Sequence, residues 1–135
     1  MNDCIFCKII TGQIPCAKVY ENEHVLCFLD IHPCVKGHVL VVPKQHFRNV
    51  FDATKEQYLQ LHEAAQLIAK KLKQNLSCDG VNIFQNNESC AGQDVFHAHI
   101  HVVPRHTNDG KKLAFNTHDS YVEGELNTFT EKIKN

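Results

Sequence analysis

Residues 96–103 read Phe96-His97-Ala98-His99-Ile100-His101-Val102-Val103, so that three histidines alternate with apolar residues. Successive side chains of an extended strand point to opposite faces, which would place all three imidazoles on one face. Helical spacing would instead scatter the three rings around the helix axis. The pattern therefore predicts a strand with one face on a core. The other face would carry a functional site made of groups that titrate near neutral pH.

Two kinds of chemistry use histidines at this spacing. Neighbouring strand histidines can share a zinc ion, as they do in three-histidine catalytic centres. A neutral imidazole nitrogen can also attack phosphorus and form a covalent phosphoramidate that water then cleaves, while a second imidazole supplies or removes a proton. The polar loop 87–93, which leads directly into the stretch, favours a bound anion such as phosphate. Periodicity alone does not choose between the zinc centre and the nucleophilic imidazole.

A second motif is the C-x-x-C pair formed by Cys4 and Cys7. Such a pair is either a redox dithiol or one half of a zinc site. A thioredoxin-like dithiol should follow a strand and begin a helix within a βαβ unit, and the sequence indicates no such unit here. A zinc site would need two further ligands, for which the ten histidines of the chain provide candidates.

The composition restricts the class of protein. The 135 residues have the length of one domain, 1–135, and the formal net charge of −1 gives no electrostatic reason to expect a nucleic acid or an anionic membrane as partner. The polar start and the lack of a long apolar run predict neither a signal peptide nor a membrane anchor. Seven cysteines, an odd number without other extracellular features, favour a reducing compartment, and we expect a cytoplasmic protein.

The hydrophobic pattern predicts an α+β domain. Thr54 and Gln57 form a capping box at the start of a long helix over 54–76, along which apolar residues recur at helical spacing. The apolar residues at 126, 129 and 133 predict a short amphipathic helix near the end of the chain. Short apolar runs and the histidine stretch predict a mainly antiparallel five-stranded sheet. The four other predicted strands lie at 18–20, 25–29, 39–42 and 81–86.

Further motifs accompany the histidine stretch along the chain. They are Cys4-Ile5-Phe6-Cys7-Lys8-Ile9, Phe28-Leu29-Asp30-Ile31, Lys36-Gly37-His38, Val42-Pro43-Lys44 with His46, Asn86, and Gly92-Gln93. In this order and spacing they resemble the histidine triad superfamily, and within it the zinc-binding bacterial type of the Hint-like branch. That branch contains nucleotide-binding phosphoramidases and nucleotidyl hydrolases. The resemblance covers residues 3–106, whereas the tail, 107–135, matches no specific motif.

The resemblance implies a role for each histidine of the triad. His99 would be the nucleophile that takes the nucleoside monophosphate, His101 would contact the α-phosphate, and His97 would help to orient the site. Asp30 would hold the ribose hydroxyls of a purine nucleotide of AMP or GMP type. The remaining implied contacts are Ile5, Phe6 and Ile31 around the purine, and Asn86, Gly92, Gln93 and Asp94 around the phosphate.

The resemblance also implies a metal site and an oligomer. The zinc ligands would be Cys4, Cys7, His46 and His97. Two thiolates and two imidazoles make a closed tetrahedral site without an open position, so the zinc would be structural. The family forms homodimers in which two sheets join edge to edge, and we expect the same HIT-like fold and assembly here.

The sequence as a whole predicts an enzyme that attacks the α-phosphorus of a purine nucleoside 5′-phosphate derivative. Its substrate would be a nucleoside phosphoramidate, an aminoacyl adenylate or a dinucleoside polyphosphate, and a nucleotidyl-His99 intermediate would release the monophosphate. The alternative is a nucleotide-binding regulatory or adaptor protein with little catalysis. Nucleotidyl transfer to a sugar phosphate and a metal-dependent hydrolase built on the triad are two further alternatives.

One position departs from the family pattern. Asp94 stands where close relatives usually have a serine or threonine that contacts phosphate through its hydroxyl. A carboxylate beside a phosphate is repulsive unless it is protonated or turned away. The preference of the site for its leaving group is therefore open at this residue.

Overall fold

A computed structural model of the chain describes residues 3–112 and 117–134. Of the predicted tail, residues 113–116 and 135 lie outside the described residues. The described residues form five strands and three α-helices. The strands are β1 (Lys18–Glu21), β2 (Val25–Leu29), β3 (Val39–Pro43), β4 (Gly80–Phe84) and β5 (Ile100–Arg105), and the helices are α1 (Ile5–Ile10), α2 (Lys55–Asn75) and α3 (Glu125–Lys134).

The five strands form one antiparallel sheet in the order β1-β2-β3-β5-β4. The α+β class and the five-stranded antiparallel sheet are therefore as predicted. β5, which carries the third histidine, lies inside the sheet between β3 and β4. Its His101 is paired with Leu40 on one side and with Phe84 on the other, so these three side chains share one face of the sheet.

Helix α2 covers the opposite face of the sheet. Its predicted capping box is present, because the Thr54 side chain accepts from the Gln57 backbone N–H and the Gln57 side chain accepts from the Thr54 backbone N–H. The buried residues of α2 follow the apolar stripe of the sequence and pack on alternate residues of β2, β3 and β5. In α2 these are Leu61, Ala64, Ala65, Ile68 and Leu72.

Helix α1 covers part of the face that carries His101, and the sequence pattern gave no prediction of it. The Cys4 Sγ accepts a hydrogen bond from the Cys7 backbone N–H at 3.4 Å and thereby caps the first turn. Phe6 projects from α1 into a second apolar cluster with Leu26, Phe28, Leu40 and Val42 of the sheet. The C-x-x-C motif therefore begins a helix that is tied to the sheet by one buried phenylalanine.

The histidine stretch is shorter as a strand than the alternation predicted. β5 begins only at Ile100 and continues to Arg105, so the expectation that all of 96–103 is strand was wrong. The segment before β5 leaves the ladder because the Ala98 backbone N–H donates to the Phe47 carbonyl at 2.8 Å instead of to a strand neighbour. The alternation of faces nevertheless persists, since Ala98 and Ile100 both lie in the core under α2.

The other elements agree with the prediction to within two residues, and the largest difference is at the strand predicted at 81–86, which ends at Phe84. The short amphipathic helix near the end of the chain is present as α3, and its apolar side chains are exposed in the single chain. Among the described residues, no helix combines the length and apolarity that a bilayer crossing requires.

Candidate active site and metal centre

Two thiols and two imidazoles meet at the start of α1. Cys4 and Cys7 lie at the cap and in the first turn of α1, His46 follows β3, and His97 precedes β5, so three distant parts of the sequence converge. His97 Nδ1 lies 3.3 Å from Cys4 Sγ, 3.6 Å from Cys7 Sγ and 3.0 Å from His46 Nδ1. His46 Nδ1 lies 3.5 Å from Cys7 Sγ. The structure thus brings together all four predicted metal ligands.

The donor atoms of this cluster suit a tetrahedral metal ion. With metal–sulfur bonds of about 2.3 Å and metal–nitrogen bonds of about 2.0 Å, neighbouring donors of a tetrahedral site lie roughly 3.3–3.8 Å apart. His97 Nε2–H donates to the Pro43 carbonyl at 2.8 Å, so the lone pair of its neutral ring is on Nδ1, which faces the other ligands. Burial lowers the pKa of His97 to about 4 and keeps the ring neutral. The cluster is therefore compatible with zinc.

The middle histidine of the triad is held in one tautomer by the backbone. His99 is 5% exposed, and its Nδ1 lies 2.8 Å from the carbonyl oxygen of His97. A carbonyl only accepts, so Nδ1 carries the proton and Nε2 keeps its lone pair. Burial lowers the pKa of His99, while the nearby Asp94 and Asp30 carboxylates oppose that shift. The result is a neutral imidazole with a free nucleophilic nitrogen.

The third histidine is oriented through a fourth, His38, which is 2% exposed. The Cys34 backbone N–H donates to His38 Nδ1 at 3.1 Å, so the proton of a neutral His38 is on Nε2. His38 Nε2 lies 2.9 Å from His101 Nδ1 and therefore donates to it. His101 then carries its own proton on Nε2. Burial is the main cause that lowers the pKa of both rings, to about 4 for His101.

His38, His101 and Asp30 also lie close enough to form a second group of possible metal ligands. Asp30 Oδ2 is 3.8 Å from His38 Nε2. A metal ion on His38 Nε2 would need its lone pair, which would move the ring proton to Nδ1 and break the hydrogen bond from Cys34. The tautomer thus argues against a metal here and for a chain of proton-bearing donors.

The residues expected around a purine differ in exposure. Ile31 is 85% exposed and Ile5 is 46% exposed, as a base-binding pair requires in the free protein. Phe6 is 6% exposed and packs edge-on against the rings of Phe28 and His99, with centroids 5.7 and 5.1 Å away. The structure therefore gives Phe6 a role in supporting His99 and leaves little of its ring for a purine.

The ribose candidate, Asp30, uses only part of its carboxylate within the protein. Asp30 Oδ1 accepts from the His32 backbone N–H at 2.8 Å, which closes the turn after β2. The same carboxylate is near His38, as described above. The turn contact uses Oδ1, so it is compatible with the implied role of Asp30 as a ribose ligand through Oδ2.

The polar loop before His97 brings Asn86 and Gly92 together. Asn86 Nδ2 donates to the Gly92 carbonyl at 3.3 Å, and Gly92 has a φ of +95°. A Cβ on Gly92 would lie 3.2 Å from Asn86 Nδ2, so glycine permits this close approach. Asp94 is exposed beside the triad. Its carboxylate acts on the pKa of His99 and of His101.

Gln93 differs from its expected role. Its Nε2 donates to the carbonyls of Arg48 and Val95 at 2.7 and 3.1 Å, and its Oε1 accepts from Asn49 and from the Glu88 backbone N–H. Both amide hydrogens are thus used inside the protein. The Gln93 side chain has no donor left for a phosphate oxygen, and in this arrangement it stabilises the loop instead.

Two residues of the site escaped the sequence analysis. His38 was given no role in the site, although it belongs to the Lys36-Gly37-His38 motif, because the pairing of β3 with β5 is not visible in the sequence. Phe84 lies parallel to the His101 ring, with centroids 4.5 Å apart and an interplanar angle of 6°. The sequence offered one indication for Phe84. It is two residues before Asn86 in the predicted strand 81–86, so the two side chains would lie on the same face.

The model of the HIT domain family matches residues 11–108, which include β1 to β5, the polar loop and the triad. The chain belongs to the HIT domain family. This HIT protein is 46% identical over 133 residues to the protein named hit of Bacillus subtilis, a match that covers 97% of this chain and 92% of that relative.

Two relatives of this HIT protein are named as enzymes. It is 40% identical over 102 residues to an adenosine 5'-monophosphoramidase of Saccharomyces cerevisiae, a match over 76% of this chain and 62% of that protein. It is 39% identical over 108 residues to an adenylylsulfatase of Arabidopsis thaliana, over 80% of this chain and 55% of that protein. The HIT chain thus spans little more than half of the length of these two enzymes.

Solved structures agree with the fold of this HIT protein. A crystal structure of a Streptococcus mutans protein, 47% identical, matches with a TM-score of 0.92 over 99% of this chain and 85% of that chain. A zinc-bound histidine triad family protein from Mycobacterium smegmatis, 39% identical, matches with a TM-score of 0.77 over 88% of this chain and 85% of that chain.

Proposed function

We propose that this HIT protein is a nucleotide hydrolase of the phosphoramidase type, which attacks the α-phosphate of purine nucleoside 5′-phosphate derivatives. The observation that carries this proposal is the hydrogen bond from His99 Nδ1–H to the His97 carbonyl. It leaves the lone pair on Nε2 of a ring that burial keeps neutral. A neutral imidazole of this kind is a nucleophile that needs no separate base to activate it.

The proposed reaction has two displacements at phosphorus. In the first, His99 Nε2 forms a bond to the α-phosphorus while the bond from phosphorus to the leaving group breaks, and the leaving group takes up one proton. In the second, water adds its oxygen to phosphorus, the P–N bond to His99 breaks, and one proton of the water is released. The two proton transfers cancel, so the net reaction consumes one water molecule.

His101 is the candidate for moving these protons. Its Nε2 bears a hydrogen because Nδ1 accepts from His38, so it donates to a phosphate oxygen or to the leaving group. The negative charge of a bound phosphate favours the protonated ring and opposes the effect of burial on the pKa of His101. Phe84, stacked on the same ring, restricts its rotation.

The proposed substrate is an adenylyl compound with a small leaving group. The names of two relatives support this choice, since one is an adenosine 5'-monophosphoramidase and the other an adenylylsulfatase. These two names share the adenylyl half and differ in the leaving group. In this chain, exposed Ile5 and Ile31 would contact the purine, and Asp30 the ribose. Asn86 and the backbone at Gly92 and Asp94 would contact the phosphate.

We further propose that Cys4, Cys7, His46 and His97 hold a structural zinc ion. The spacing of their donor atoms and the Nδ1 lone pair of His97 support this assignment, and a zinc-bound relative has the same fold. All four ligands come from the protein, so the ion would have no open position for a substrate. Its thiolate ligands require a reducing compartment such as the cytoplasm.

The proposed assembly is a homodimer in which the sheets of two copies join at β4. β4 is an edge strand, with backbone groups on one side that no other strand of the sheet meets. Ile83 of β4 and Leu59 of α2 line one shallow depression at this edge and are both exposed. A second copy would cover both the open edge and this apolar surface.

The test of the proposed function is the rate of AMP release from adenosine phosphoramidate. We expect His99→Ala to lower kcat/KM by roughly 10³-fold or more, because the nucleophile is lost. His24→Ala, which removes an exposed histidine from the β1–β2 turn, should leave the rate unchanged. Acid quenching of the wild type during turnover should trap a nucleotidyl group on the protein, and His99→Ala should trap none.

Other outcomes would reject the proposal in distinct ways. Equal rates for the wild type and His99→Ala would show that His99 is not the nucleophile. If the wild type binds AMP saturably but hydrolyses neither the phosphoramidate nor a dinucleoside polyphosphate, the chain is a nucleotide-binding protein with little catalysis. The sequence analysis retained that alternative, and the pocket alone does not separate it from an enzyme.

A further inference from the structure

Glu88 has a backbone conformation that is unusual for a residue with a side chain. Its φ is +81° and its ψ is 157°, a region that is populated almost only by glycine. Glu88 lies at the start of the short 3₁₀ turn Ser89–Ala91, in the loop between β4 and β5. That loop leads to Gly92 and Asp94 and then to the triad. Backbone strain at this point therefore needs a compensating interaction.

The compensating interaction is a set of three donors on the Glu88 carboxylate. The Arg48 guanidinium donates from Nε to Oε2 at 2.7 Å and from Nη2 to Oε1 at 2.8 Å, which is the bidentate arrangement. Asn49 Nδ2 donates to Oε2 at 2.6 Å. Arg48 also lies 4.3 Å above the centroid of the Phe96 ring, immediately before His97. We call Arg48, Asn49 and Glu88 the carboxylate clamp.

Buried amides extend the clamp into the loop. Asn49 is 1% exposed, and its Nδ2 also donates to Gln93 Oε1 at 3.0 Å. The Glu88 backbone N–H donates to the same Gln93 oxygen at 2.8 Å, and Gln93 Nε2 returns to the Arg48 carbonyl at 2.7 Å. Segment 48–49 is thus joined to both ends of the loop 88–93.

We propose that Glu88 is a positioning residue, and that the carboxylate clamp holds the loop 88–94 in the strained conformation that binds the substrate phosphate. This inference rests on the proposed function, in which Asn86 and the backbone at Gly92 and Asp94 contact the phosphate. The clamp touches neither the triad nitrogens nor the substrate. It acts on the loop, so its loss should weaken phosphate binding in the ground state and the transition state alike.

Two substitutions at Glu88 separate the clamp from the strain. Glu88→Ala removes the carboxylate but keeps a Cβ, so the strained φ is no longer held and the loop should relax. Glu88→Gly also removes the carboxylate, yet glycine adopts a φ of +81° without strain. We expect Glu88→Ala to raise KM for adenosine phosphoramidate and the Kd of AMP by roughly tenfold, and Glu88→Gly by only about threefold, with kcat nearly unchanged.

The matched control is Glu21→Ala. The Glu21 carboxylate also accepts from two cationic donors, Lys18 at 2.9 Å and Lys44 at 2.7 Å, but it lies on β1 at the opposite edge of the sheet. The Glu21→Ala variant should therefore have wild-type values of KM, kcat and AMP affinity. Arg48→Met removes the guanidinium of the clamp without substituting any residue of the loop. It should reproduce the effect of Glu88→Ala, and it provides a second test if Glu88→Ala folds poorly.

Amide hydrogen exchange provides a readout that does not depend on turnover. The hydrogen-bonded amides of Ala91, Gly92 and Gln93 should exchange roughly tenfold faster in Glu88→Ala than in the wild type, and less so in Glu88→Gly. Exchange and KM within twofold of wild type in Glu88→Ala would overturn the proposal, as would equal effects of alanine and glycine. If the wild type hydrolyses no nucleotide, the proposed function fails; faster loop exchange would then support the clamp alone, and unchanged exchange would reject it.

Discussion

Three histidines of the site are each oriented by one hydrogen bond to the backbone, and the fourth, His101, is oriented by His38. His97 donates to the Pro43 carbonyl, and His99 donates to the His97 carbonyl. His38 accepts from the Cys34 backbone N–H at Nδ1 and donates from Nε2 to His101. Each ring thus has one tautomer, which is set by these hydrogen bonds. Because burial favours the neutral rings, His99 keeps a lone pair on Nε2 and His101 keeps a proton on Nε2, as the proposed nucleophile and proton donor require.

This neutrality predicts how stability depends on pH. The folded-state pKa of His101 is about 4, whereas an exposed histidine in the unfolded chain titrates near 6.5. As the pH falls from about 6.5 to about 4, the unfolded chain binds a proton that the folded protein does not, so folding stability decreases. Urea unfolding at a series of pH values should show that His101→Gln loses less stability in this window than the wild type, by on the order of 2 kcal/mol.

The comparison of these two proteins removes the contribution of the metal ligands, because both retain them. Well below pH 4 the difference between the two proteins should become constant, since His101 then binds its proton in both the folded and unfolded states. Parallel stability curves from pH 7 to pH 4 would contradict the low pKa of His101.

Among single residues, the sequence predicted those that a motif defines and missed those that depend on pairing. The triad and the four proposed metal ligands could be named because each belongs to a short motif of the sequence. His38 and Phe84 reach His101 only through the register of β3 and β4 with β5, which no local pattern encodes. Phe6 was assigned to the purine, whereas its ring packs against Phe28 and His99. This burial is a consequence of tertiary packing, which no local pattern of the sequence indicates.

At the scale of elements, the proposed zinc ion would hold α1 in place. Its six residues are too few for a helix that is stable alone in water. Two features fix it: the Phe6 side chain in the apolar cluster, and Cys4 and Cys7 beside His46 and His97. A metal ion there would join α1 to the segment after β3 and to the segment before β5. It would thus stabilise the backbone that supports His99.

Removal of the metal should therefore reduce stability before it reduces chemistry. We expect a strong chelator to lower Tm by roughly 10 °C or more and to accelerate amide exchange first in α1. At a temperature where the stripped protein is still folded, it should retain a large part of its turnover, and added zinc should restore Tm. Differential scanning calorimetry and the AMP-release assay measure the two effects.

A catalytic metal would behave differently. Turnover would then disappear in a stripped protein whose Tm had hardly changed, and it would return in proportion to the metal added. Cys7→Ser provides a second measurement, since a structural ion predicts a lower Tm together with a lower zinc content. A wild-type Tm in this variant would contradict the assignment of Cys7 as a ligand.

The elements that the sequence predicted well are those whose pattern is long. Helix α2 has a capping box and five buried residues at helical spacing, so both its existence and its N-terminal boundary could be predicted. The start of β5 could not, because the alternation of His97, Ala98 and His99 continues outside the ladder. α1 is too short for a periodic pattern, and its cap is a cysteine, which is not a usual N-cap residue.

At the scale of the whole molecule, the two edges of the sheet expose similar apolar side chains. Ile83 on β4 is 46% exposed, and Val19 on β1 is 44% exposed. They differ in their surroundings. Ile83 lies beside Leu59 and the middle of α2 in one continuous depression, so a second copy could cover strand and helix together. β1 is short and carries Lys18 and Glu21, charged side chains that disfavour edge-to-edge pairing.

This difference predicts which edge would form the proposed homodimer. Ile83→Lys should convert the dimer into a monomer, because it introduces a desolvated charge at the centre of the proposed interface. Val19→Lys makes the same chemical change at the other edge and should leave the dimer intact. Sedimentation equilibrium over a range of protein concentrations would measure both association constants, and we expect a loss of at least about 100-fold for Ile83→Lys alone. If Val19→Lys dissociates the dimer instead, the interface lies at β1. If the wild type is monomeric at all concentrations, the proposed assembly is rejected, since no second copy would then cover the exposed edge at β4.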